Sequence, residues 1–532
     1  MHRRVFFQTT GAVGVANLPI FGAATASSPA GTDRHRPEAS VTDTTRTWHF
    51  SDLWRFDHFD NLRIRQGEPQ WQADSVYQEP HVGALSAWPT VFRDSDSGRW
   101  RMLYSADWKP YSLMVAESED GRQWQPLARP DIMPQGHKLA PHHLFSLPDG
   151  SGGGVYVDPV AAEGFRFKVF VHQHGKEVLE RAIADPDHRW HEIAKQEGAK
   201  RYIADEFTLV SRDGLLWQPR YDMKWSQPDW HPEPPIFGFY NRHVGRHQMT
   251  VRPGWGDRRQ CIQSTDNFRE WTGPELLLQS DALDQELVEF YGMPVFPYGD
   301  AYVGLLWMFH CESSEPTRGF NRFVGPLDCQ LAFSHDGNRF TRGVRSPFIT
   351  CNEPGEHGGG AIQPSCLLET DDEIRIYSAA TKMGHGMGGK ARRDGITDNA
   401  SILLHTLRKD GLMFLESEGD WGRFISKPLV LLDETATMNA SAPHGEVRFQ
   451  LTDLQSQPVT GFTFDDCVTL ASEDSVRYPL RWKSKSLKDV VGRIVRLEFR
   501  LRHARLFAIR GGIHFIDAQD RWLIEDGQPI IT

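Results

Sequence analysis

The chain repeats a short phrase, Ser-x-Asp-Gly-x-x-aromatic, that determines where its strands turn. An Asp-Gly pair favours a tight turn with positive φ, and the aromatic residue starts the next strand. Three copies are complete, one replaces Gly by Asn and carries an extra residue, and one lacks the Ser. The copies are residues 118–124, 211–217, 264–271, 334–340 and 408–414. This recurrence, at spacings of roughly 50 to 95 residues, predicts one four-stranded sheet per copy.

A pair of strand-like segments precedes each copy in the same order. The pairs are residues 88–92 with 99–104, 154–158 with 165–170, 236–240 with 247–251, 291–296 with 302–307, and 361–364 with 373–377. Five such units predict an all-β fold, a five-bladed β-propeller over residues 48–426. A generic β-sandwich with coincidental turns is the alternative. The phrase stops after residue 414, and the alternating strands that follow predict a small β-sandwich over residues 427–532.

The N-terminus has the pattern of an export signal. Arg3 and Arg4 precede an apolar stretch over residues 11–23, and Ala24-Thr25-Ala26 matches an A-x-A cleavage site. The pattern resembles a twin-arginine signal over residues 1–26, followed by a flexible linker over 27–47. A membrane anchor is the alternative, but the stretch is short for ~30 Å of hydrocarbon. We therefore expect a periplasmic or secreted protein with no membrane span after signal removal.

The amino-acid composition limits the classes of molecule that this protein is expected to bind. A net charge of -11 argues against nucleic acid, which needs a basic face. The 17 Trp and 31 Phe favour aromatic faces that suit an oligo- or polysaccharide. Six cysteines without a C-x-x-C pair indicate neither a zinc ribbon nor a thioredoxin-type centre, and their pairing stays open. No cofactor is predicted with certainty, a structural divalent cation in the propeller funnel stays possible, and the oligomeric state is open.

The five-fold phrase and the segment 288–294, Val-Glu-Phe-Tyr-Gly-Met-Pro, carry a resemblance to a known group of enzymes. The chain resembles the five-bladed β-propeller glycoside hydrolases of the invertase, levanase and arabinanase group, which carry a C-terminal β-sandwich. In the invertase-like members a Glu at this place, usually followed by Cys, is the general acid. The resemblance implies that role for Glu289, here followed by Phe. The invertase phrases Asn-Asp-Pro-Asn and Arg-Asp-Pro are absent.

Glycoside hydrolysis uses two carboxylates across the sugar, and residues beside the inner strands of a propeller converge on its funnel. Glu289, with apolar neighbours that could raise a carboxyl pKa, is the predicted acid; an ion pair with an arginine is the alternative. Glu79 and Asp158 are the predicted partners; the alternatives are an exposed loop position for Glu79 and a simple Asp-Pro turn for Asp158. Tyr291 and Gln363, on the fourth and fifth inner strands, complete the expected pocket.

Other residues suggest a different chemistry. Arg258 and Arg259 could bind a uronic acid or a sulfated sugar, or form a surface ion-pair cluster. His142 or His143 with Tyr156 could remove the proton α to a uronate carboxylate, although histidines are commonly structural. The sequence therefore predicts an exported carbohydrate-active enzyme, first a glycoside hydrolase, alternatively a polysaccharide lyase or a non-catalytic sugar-binding propeller.

Overall fold

The computed structural model describes residues 46–80, 88–108, 111–134, 138–161, 163–196, 203–226, 232–253, 257–312 and 323–528. The predicted export signal (1–26) and most of the predicted linker (27–47) lie outside these residues. Strands dominate the regular structure, so the prediction of an all-β fold is confirmed. The α-helices are α1 (Lys176–Ala184), α2 (His191–Ala194), α3 (Gly388–Arg393) and α4 (Ala518–Glu525), with 3-10 turns at Ala73–Ser75 and Leu487–Val490.

Three antiparallel sheets follow four short N-terminal strands. The N-terminal strands are β1 (Arg46–His49), β2 (Phe56–Asp60), β3 (Arg63–Gln66) and β4 (Gln70–Trp71). The first sheet has β5 (Thr90–Arg93), β6 (Trp100–Trp108), β7 (Tyr111–Ser118), β8 (Gln125–Pro126) and β9 (His143–Leu147). The second has β10 (Gly150–Gly152), β11 (Tyr156–Val157), β12 (Phe167–Gln173), β13 (Asp205–Ser211) and β14 (Trp217–Lys224). The third has β15 (Glu233–Asn241), β16 (Arg246–Arg252), β17 (Gln260–Thr265) and β18 (Glu275–Leu278).

An eight-stranded sheet comes next and contains two antiparallel groups. Its strands are β19 (Val288–Gly292), β20 (Val295–Tyr298), β21 (Ala301–His310), β22 (Leu327–Ser334), β23 (Ala361–Glu369), β24 (Glu373–Thr381) and β25 (Ala400–Arg408), with β4. A single parallel pair, Leu327 with Ala361, joins the groups. The N-terminal strand β4 pairs with β25 and completes the second group. The count of five blades stays a prediction.

The C-terminal strands belong to a nine-stranded sheet. It contains β26 (Met413–Ser417), β27 (Gly422–Ser426), β28 (Leu429–Thr452), β29 (Leu470–Pro479), β30 (Ile494–Arg502) and β31 (Ala504–Phe515), together with β1, β2 and β3. Its core includes Trp48, Phe424 and Phe499, all buried. This sheet therefore also contains strands that precede the predicted sandwich range of 427–532, while the domain boundaries themselves stay predictions.

The repeated phrase is a turn with local hydrogen bonds. Ser118 Oγ accepts from the amide of Gly121 at 2.9 Å, and Asp120 Oδ1 accepts from the next two amides. The copies that begin at Ser211 and Ser334 repeat this pattern. The glycines adopt φ between 73° and 78°, a region that glycine enters without steric cost. The predicted positive-φ turns are therefore present.

The inner strands of neighbouring sheets run in the same direction. A Cβ on Gly153 would lie 1.8 Å from the carbonyl oxygen of Ile236, and one on Gly238 would lie 2.8 Å from the ring of Tyr156. A later residue of one strand therefore contacts a later residue of the other, as in a parallel arrangement. Each inner strand consequently starts at one end of the assembly and finishes at the other, which decides which candidate residues can meet.

Candidate active site

Glu289 lies where an inner strand starts, and its partner is an arginine from the preceding sheet. It is the second residue of β19, and its side chain is 18% exposed. Arg258 Nη1 donates a hydrogen bond to Glu289 Oε2. The backbone holds this pair together, because Phe290 N donates to the carbonyl of Arg258 at 2.9 Å. Of the expected apolar neighbours, Val288 is buried but Leu287 is exposed, so the closest influence on the carboxylate is a guanidinium.

A second arginine lies over the same part of the strand. Arg252, the last residue of β16, is 5% exposed, and its guanidinium carbon lies 4.5 Å from the centre of the Tyr291 ring. Its Nη2 donates to Glu233 Oε2 at 3.1 Å and to the carbonyl of Pro234. Burial lowers the pKa of the Arg252 guanidinium. Arg258 also faces the Tyr291 ring, at 5.7 Å, so two cations share one aromatic surface.

His385 completes this group from a glycine-rich loop of the second group in the eight-stranded sheet. Its ring centre lies 4.5 Å from that of Tyr291 and 5.0 Å from that of Phe309. Burial, together with the charges of Arg258 and Arg252, lowers the pKa of His385 to about 3. The imidazole is therefore neutral at ordinary pH. We call the set Arg252, Arg258, Glu289, Tyr291 and His385 the arginine cluster.

Aromatic side chains form the base on which the arginine cluster rests. Tyr291 stacks over Trp307 with ring centres 6.4 Å apart, and Trp307 contacts Trp88 and Phe237. The indole of Trp307 donates to the carbonyl of Pro364 at 2.9 Å. Trp88 and Trp307 are buried, so these tryptophans pack the centre instead of presenting a face to a sugar. Tyr291 is half-buried, and Arg258 lies slightly closer to the ring of Phe309, at 5.3 Å, than to that of Tyr291.

Glu79 lies in a separate, fully buried group. Its carboxylate accepts a hydrogen bond from Tyr104 and lies 2.8 Å from His142 Nε2, and both Glu79 and His142 have side chains that are 0% exposed. Tyr77 joins this group through its hydroxyl, 2.8 Å from that of Tyr104. Burial, with the neighbouring Tyr77 and Glu79, raises the pKa of Tyr104. Tyr77 and Tyr104 belong to the same apolar cluster as Trp307 and Phe309, against which Tyr291 packs.

Asp158 and Tyr156 lie at the far end of their inner strand. Asp158 Oδ2 accepts from Lys168 Nζ at 2.6 Å, and Oδ1 accepts from the amides of Val160 and Ala161. Burial opposes ionisation, but these hydrogen bonds hold the pKa of Asp158 below its usual value. Tyr156 is hydrogen-bonded to His247 at 2.9 Å. Because the inner strands are parallel, neither residue meets Glu289, which stands at a strand start.

The remaining predicted residues are dispersed. His143 turns away from His142, accepting from the amide of Leu139 at 3.1 Å. Arg259 pairs with Asp257 and with Gln279 and does not join the arginine cluster. Gln363 lies near the start of β23, half-buried and opposite Ala379. The structure thus unites Glu289, Arg258 and Tyr291, and it places Asp158 and Tyr156 at the other end of the inner strands.

Three members of this region were not predicted as site residues. Arg252 was visible in the sequence only as a basic residue near Arg258. His385 lies in the glycine-rich segment 383–389, which is typical of a pocket-rim loop. Glu233 has no sequence signal; it is the first residue of β15, opposite Arg252 in the strand pairing.

A large, partly open cavity lies at the other end of the inner strands. It has a volume of about 620 Å³ and is lined by apolar residues of five strands, among them Val91, Val157, Phe239, Phe296 and Leu368. It contains no carboxylate among its lining residues. The arginine cluster and this cavity therefore lie at opposite ends of the inner strands, and Tyr156, which lines the cavity, belongs with Asp158 to the far end.

Metal and disulfide chemistry receive no support within the described residues. They contain no group of three or more His, Cys, Asp or Glu side chains placed to hold a metal ion. All six cysteines are free thiols. Across the described part of the chain, no helix combines the length and apolarity needed to cross a membrane.

Comparisons with known proteins give only weak similarities. No protein-family model and no curated protein matches the chain. One similar solved structure is an N-acetylgalactosamine deacetylase from F. plautii, with 12% identity, 66% of this chain and 97% of that chain covered, and a TM-score of 0.41. Another is a Bombyx mori GH32 beta-fructofuranosidase, at 10% identity, 84% and 94% coverage and a TM-score of 0.38. A third is an alpha-L-arabinofuranosidase from Lactobacillus brevis, at 11% identity, 62% and 92% coverage and a TM-score of 0.38. Similarities this weak carry no argument about this chain.

Proposed function

We propose that this chain is a carbohydrate-active enzyme that hydrolyses glycosidic bonds in an oligo- or polysaccharide. The observation that supports it is the position of Glu289, a partly exposed carboxylate at a strand start, beside an aromatic ring and held by Arg258. A fixed carboxylate next to an aromatic surface is what acid–base cleavage of a sugar requires. Arg258 positions the carboxylate, and the Tyr291 ring lies against the guanidiniums of both Arg252 and Arg258.

A second carboxylate is needed, and Glu233 supplies it in this proposal. Arg252 links the two carboxylates, because it donates to Glu233 and lies over the same tyrosine as Arg258. The Glu233 side chain is 67% exposed, so water reaches it freely. Glu289, ionised in its pair with Arg258, then takes a proton from the water that attacks the sugar carbon, while Glu233 in its protonated form gives a proton to the leaving glycosidic oxygen. The ion pair thus exchanges the acid role predicted for Glu289 from the sequence for that of the base. Glu79 is too deeply buried, and Asp158 too remote, for this role.

The test is product analysis on a panel of neutral and uronate-containing glycans. Hydrolysis produces new reducing ends without ultraviolet absorbance. Glu289→Gln and Glu233→Gln should each abolish that product, whereas Glu275→Gln, on the outer strand β18, should retain it. The absence of any new reducing end across the panel would reject the enzymatic proposal and leave a sugar-binding protein.

A polysaccharide lyase is the second candidate, because the arginine cluster also has the parts for β-elimination. Guanidinium groups neutralise a uronate carboxylate, and a tyrosine or a neutral histidine accepts the adjacent proton. Arg252 and Arg258 lie next to Tyr291 and His385. The pairing predicted from the sequence, His142 or His143 with Tyr156, does not form. Ultraviolet absorbance of an unsaturated uronide in the same assay would identify this chemistry.

Export by the twin-arginine route is proposed from the sequence of residues 1–26 alone. Replacing Arg3 and Arg4 together by Lys should keep the protein in the cytoplasmic fraction of its host. Equal export of the double variant would reject this route.

A further inference from the structure

Arg252 is a buried cation with unused hydrogen-bonding capacity. Among the described residues, its Nε and Nη1 atoms have no hydrogen-bond partner, although the residue is 5% exposed. Buried polar groups in folded proteins almost always have a hydrogen-bond partner, because leaving one without a partner destabilises the fold. A guanidinium in this condition at the edge of a proposed active site indicates that an acceptor belongs there.

The neighbours of Arg252 also offer donors in excess of acceptors. Arg258 Nε and His385 Nε2 are buried and without a hydrogen-bond partner within the described part of the chain. Against these donors the arginine cluster contains one carboxylate, Glu289, which is already engaged by Arg258. The set therefore suits a ligand that brings acceptor oxygens.

The charges lead to the same conclusion. Glu289 balances Arg258, and the other anion near the cluster is Glu233, whose side chain is 67% exposed and is therefore well screened by water. Arg252 consequently lacks a buried counter-ion among the described residues. Charges removed from water are stable only when they are paired, so a ligand anion would offset the cost of burying this guanidinium.

We infer that Arg252, with Arg258 and His385, binds the carboxylate of a uronic acid unit. This inference rests on the proposed function, because it names the substrate class of the same site. Arginine suits a carboxylate because its planar group of N–H donors matches the two oxygens. His385, neutral beside two guanidiniums, adds a donor without a third positive charge. A neutral sugar offers hydroxyl acceptors but no negative charge, so it would leave Arg252 without a buried counter-ion.

The experiment compares two sugars that differ only in the acid group. Binding of galacturonic acid and of galactose is measured by ligand-observed NMR titration in low salt, with Glu289→Gln used in parallel to prevent turnover. We expect galacturonic acid to bind at least 10-fold more tightly than galactose. Equal affinity for the two sugars would overturn the inference, and so would inorganic sulfate that competes as strongly as galacturonic acid, because the site would then recognise any anion.

Substitutions at Arg252 test whether this residue causes the preference for galacturonic acid. Arg252→Met should remove the preference for galacturonic acid, and Arg252→Lys, which keeps the charge but not the planar donors, should reduce it by about 10-fold. The matched control is Arg246→Met, at the opposite end of the same strand, where Arg246 pairs with Asp266; it should bind as wild type. Thermal melting curves confirm that wild type and variant are folded. An unchanged preference for galacturonic acid in Arg252→Lys would also overturn the inference.

The outcomes separate this inference from the proposed function. Cleavage of neutral glycans without any preference for the acid would reject the uronate site and leave the hydrolase. Selective binding of galacturonic acid without cleavage of any glycan would reject the enzyme and leave the uronate site.

Discussion

Arg258 hydrogen-bonds to Glu289 across the boundary between the third sheet and the eight-stranded sheet. The two residues are 31 positions apart, and each is slightly less than one-fifth exposed. The pair thus does two things at once: it joins two sheets and it orients a carboxylate beside the Tyr291 ring.

The first prediction concerns this pair. Glu289→Gln should lower kcat by about 10² to 10⁴ because it removes the proton-transfer group. Arg258→Lys should lower kcat by about 10-fold by loosening the carboxylate. Because both changes act through one carboxylate, the double variant should be no slower than Glu289→Gln alone. The test is kcat of the two single variants and the double variant, measured from initial velocities. If the losses in kcat multiply in the double variant, Arg258 acts independently of Glu289.

The second prediction concerns the neutral imidazole of His385. Its native pKa of about 3 lies below the value of about 6.5 in an unfolded chain. Between these values the unfolded chain binds a proton that the native protein does not, so stability falls as the pH drops from 7 towards 4. His385→Gln should reduce the loss of stability between pH 7 and pH 5 by about 1 to 2 kcal/mol.

Urea unfolding at the two pH values measures this difference. His405, whose pKa burial lowers to about 4, contributes its own pH dependence to both proteins and cancels in the comparison. Identical pH profiles for wild type and His385→Gln would mean that His385 is not held neutral in the native protein.

The third prediction concerns Asp410, which sits in the fifth copy of the repeated phrase. Its carboxylate is fully buried, 3.1 Å from His49 Nε2 and 2.8 Å from Asn439 Nδ2, and accepts from Arg510. Burial opposes its charge, but the hydrogen bonds and charges of His49 and Arg510 outweigh burial and hold the pKa of Asp410 well below its usual range. Asp410→Asn should destabilise the protein by about 3 kcal/mol at neutral pH.

The sign of the pH effect follows from the lowered pKa. The stabilisation by Asp410 is fully present above the unfolded pKa of about 3.9 and disappears as the pH falls towards the native pKa. The stability difference between wild type and Asp410→Asn should therefore shrink between pH 6 and pH 2. A difference that is constant over this range would contradict a charged native Asp410.

The fourth prediction tests the close approach of neighbouring inner strands. A Cβ on Gly153 would lie 1.8 Å from a backbone oxygen of Ile236, which cannot move without shifting the third sheet. Gly153→Ala should therefore destabilise the protein by about 3 kcal/mol, judged from overpacking in cores. Gly98→Ala is the control: φ is +67° there, with open space around the Cβ, so only about 1 kcal/mol of backbone strain is expected. Similar unfolding midpoints for the two variants would contradict the prediction, because they would mean that Gly153 and Ile236 are not in close contact.

The hydrogen-bonded turns of the repeated phrase could be predicted from the sequence because the bonded residues are close neighbours in the chain. The Ser, Asp and Gly of each phrase make their hydrogen bonds within three residues, so the turns near Gly121 and Gly214 form as predicted. The fifth copy departs from this rule. There the positive φ belongs to Asp410 instead of Gly411, and the carboxylate is used by distant residues of the nine-stranded sheet.

The sequence by itself determined the all-β class, the turns and the importance of Glu289 as a candidate, since these depend on short-range patterns of residues. Only the tertiary structure decided that β4 pairs with β25, that Arg252 and His385 meet Tyr291, and that Asp158 lies at the far end. The physical reason is that burial and ion pairing depend on which residues approach in space. Arg252 and His385 are separated by more than 130 positions, and no local pattern in the chain encodes their meeting.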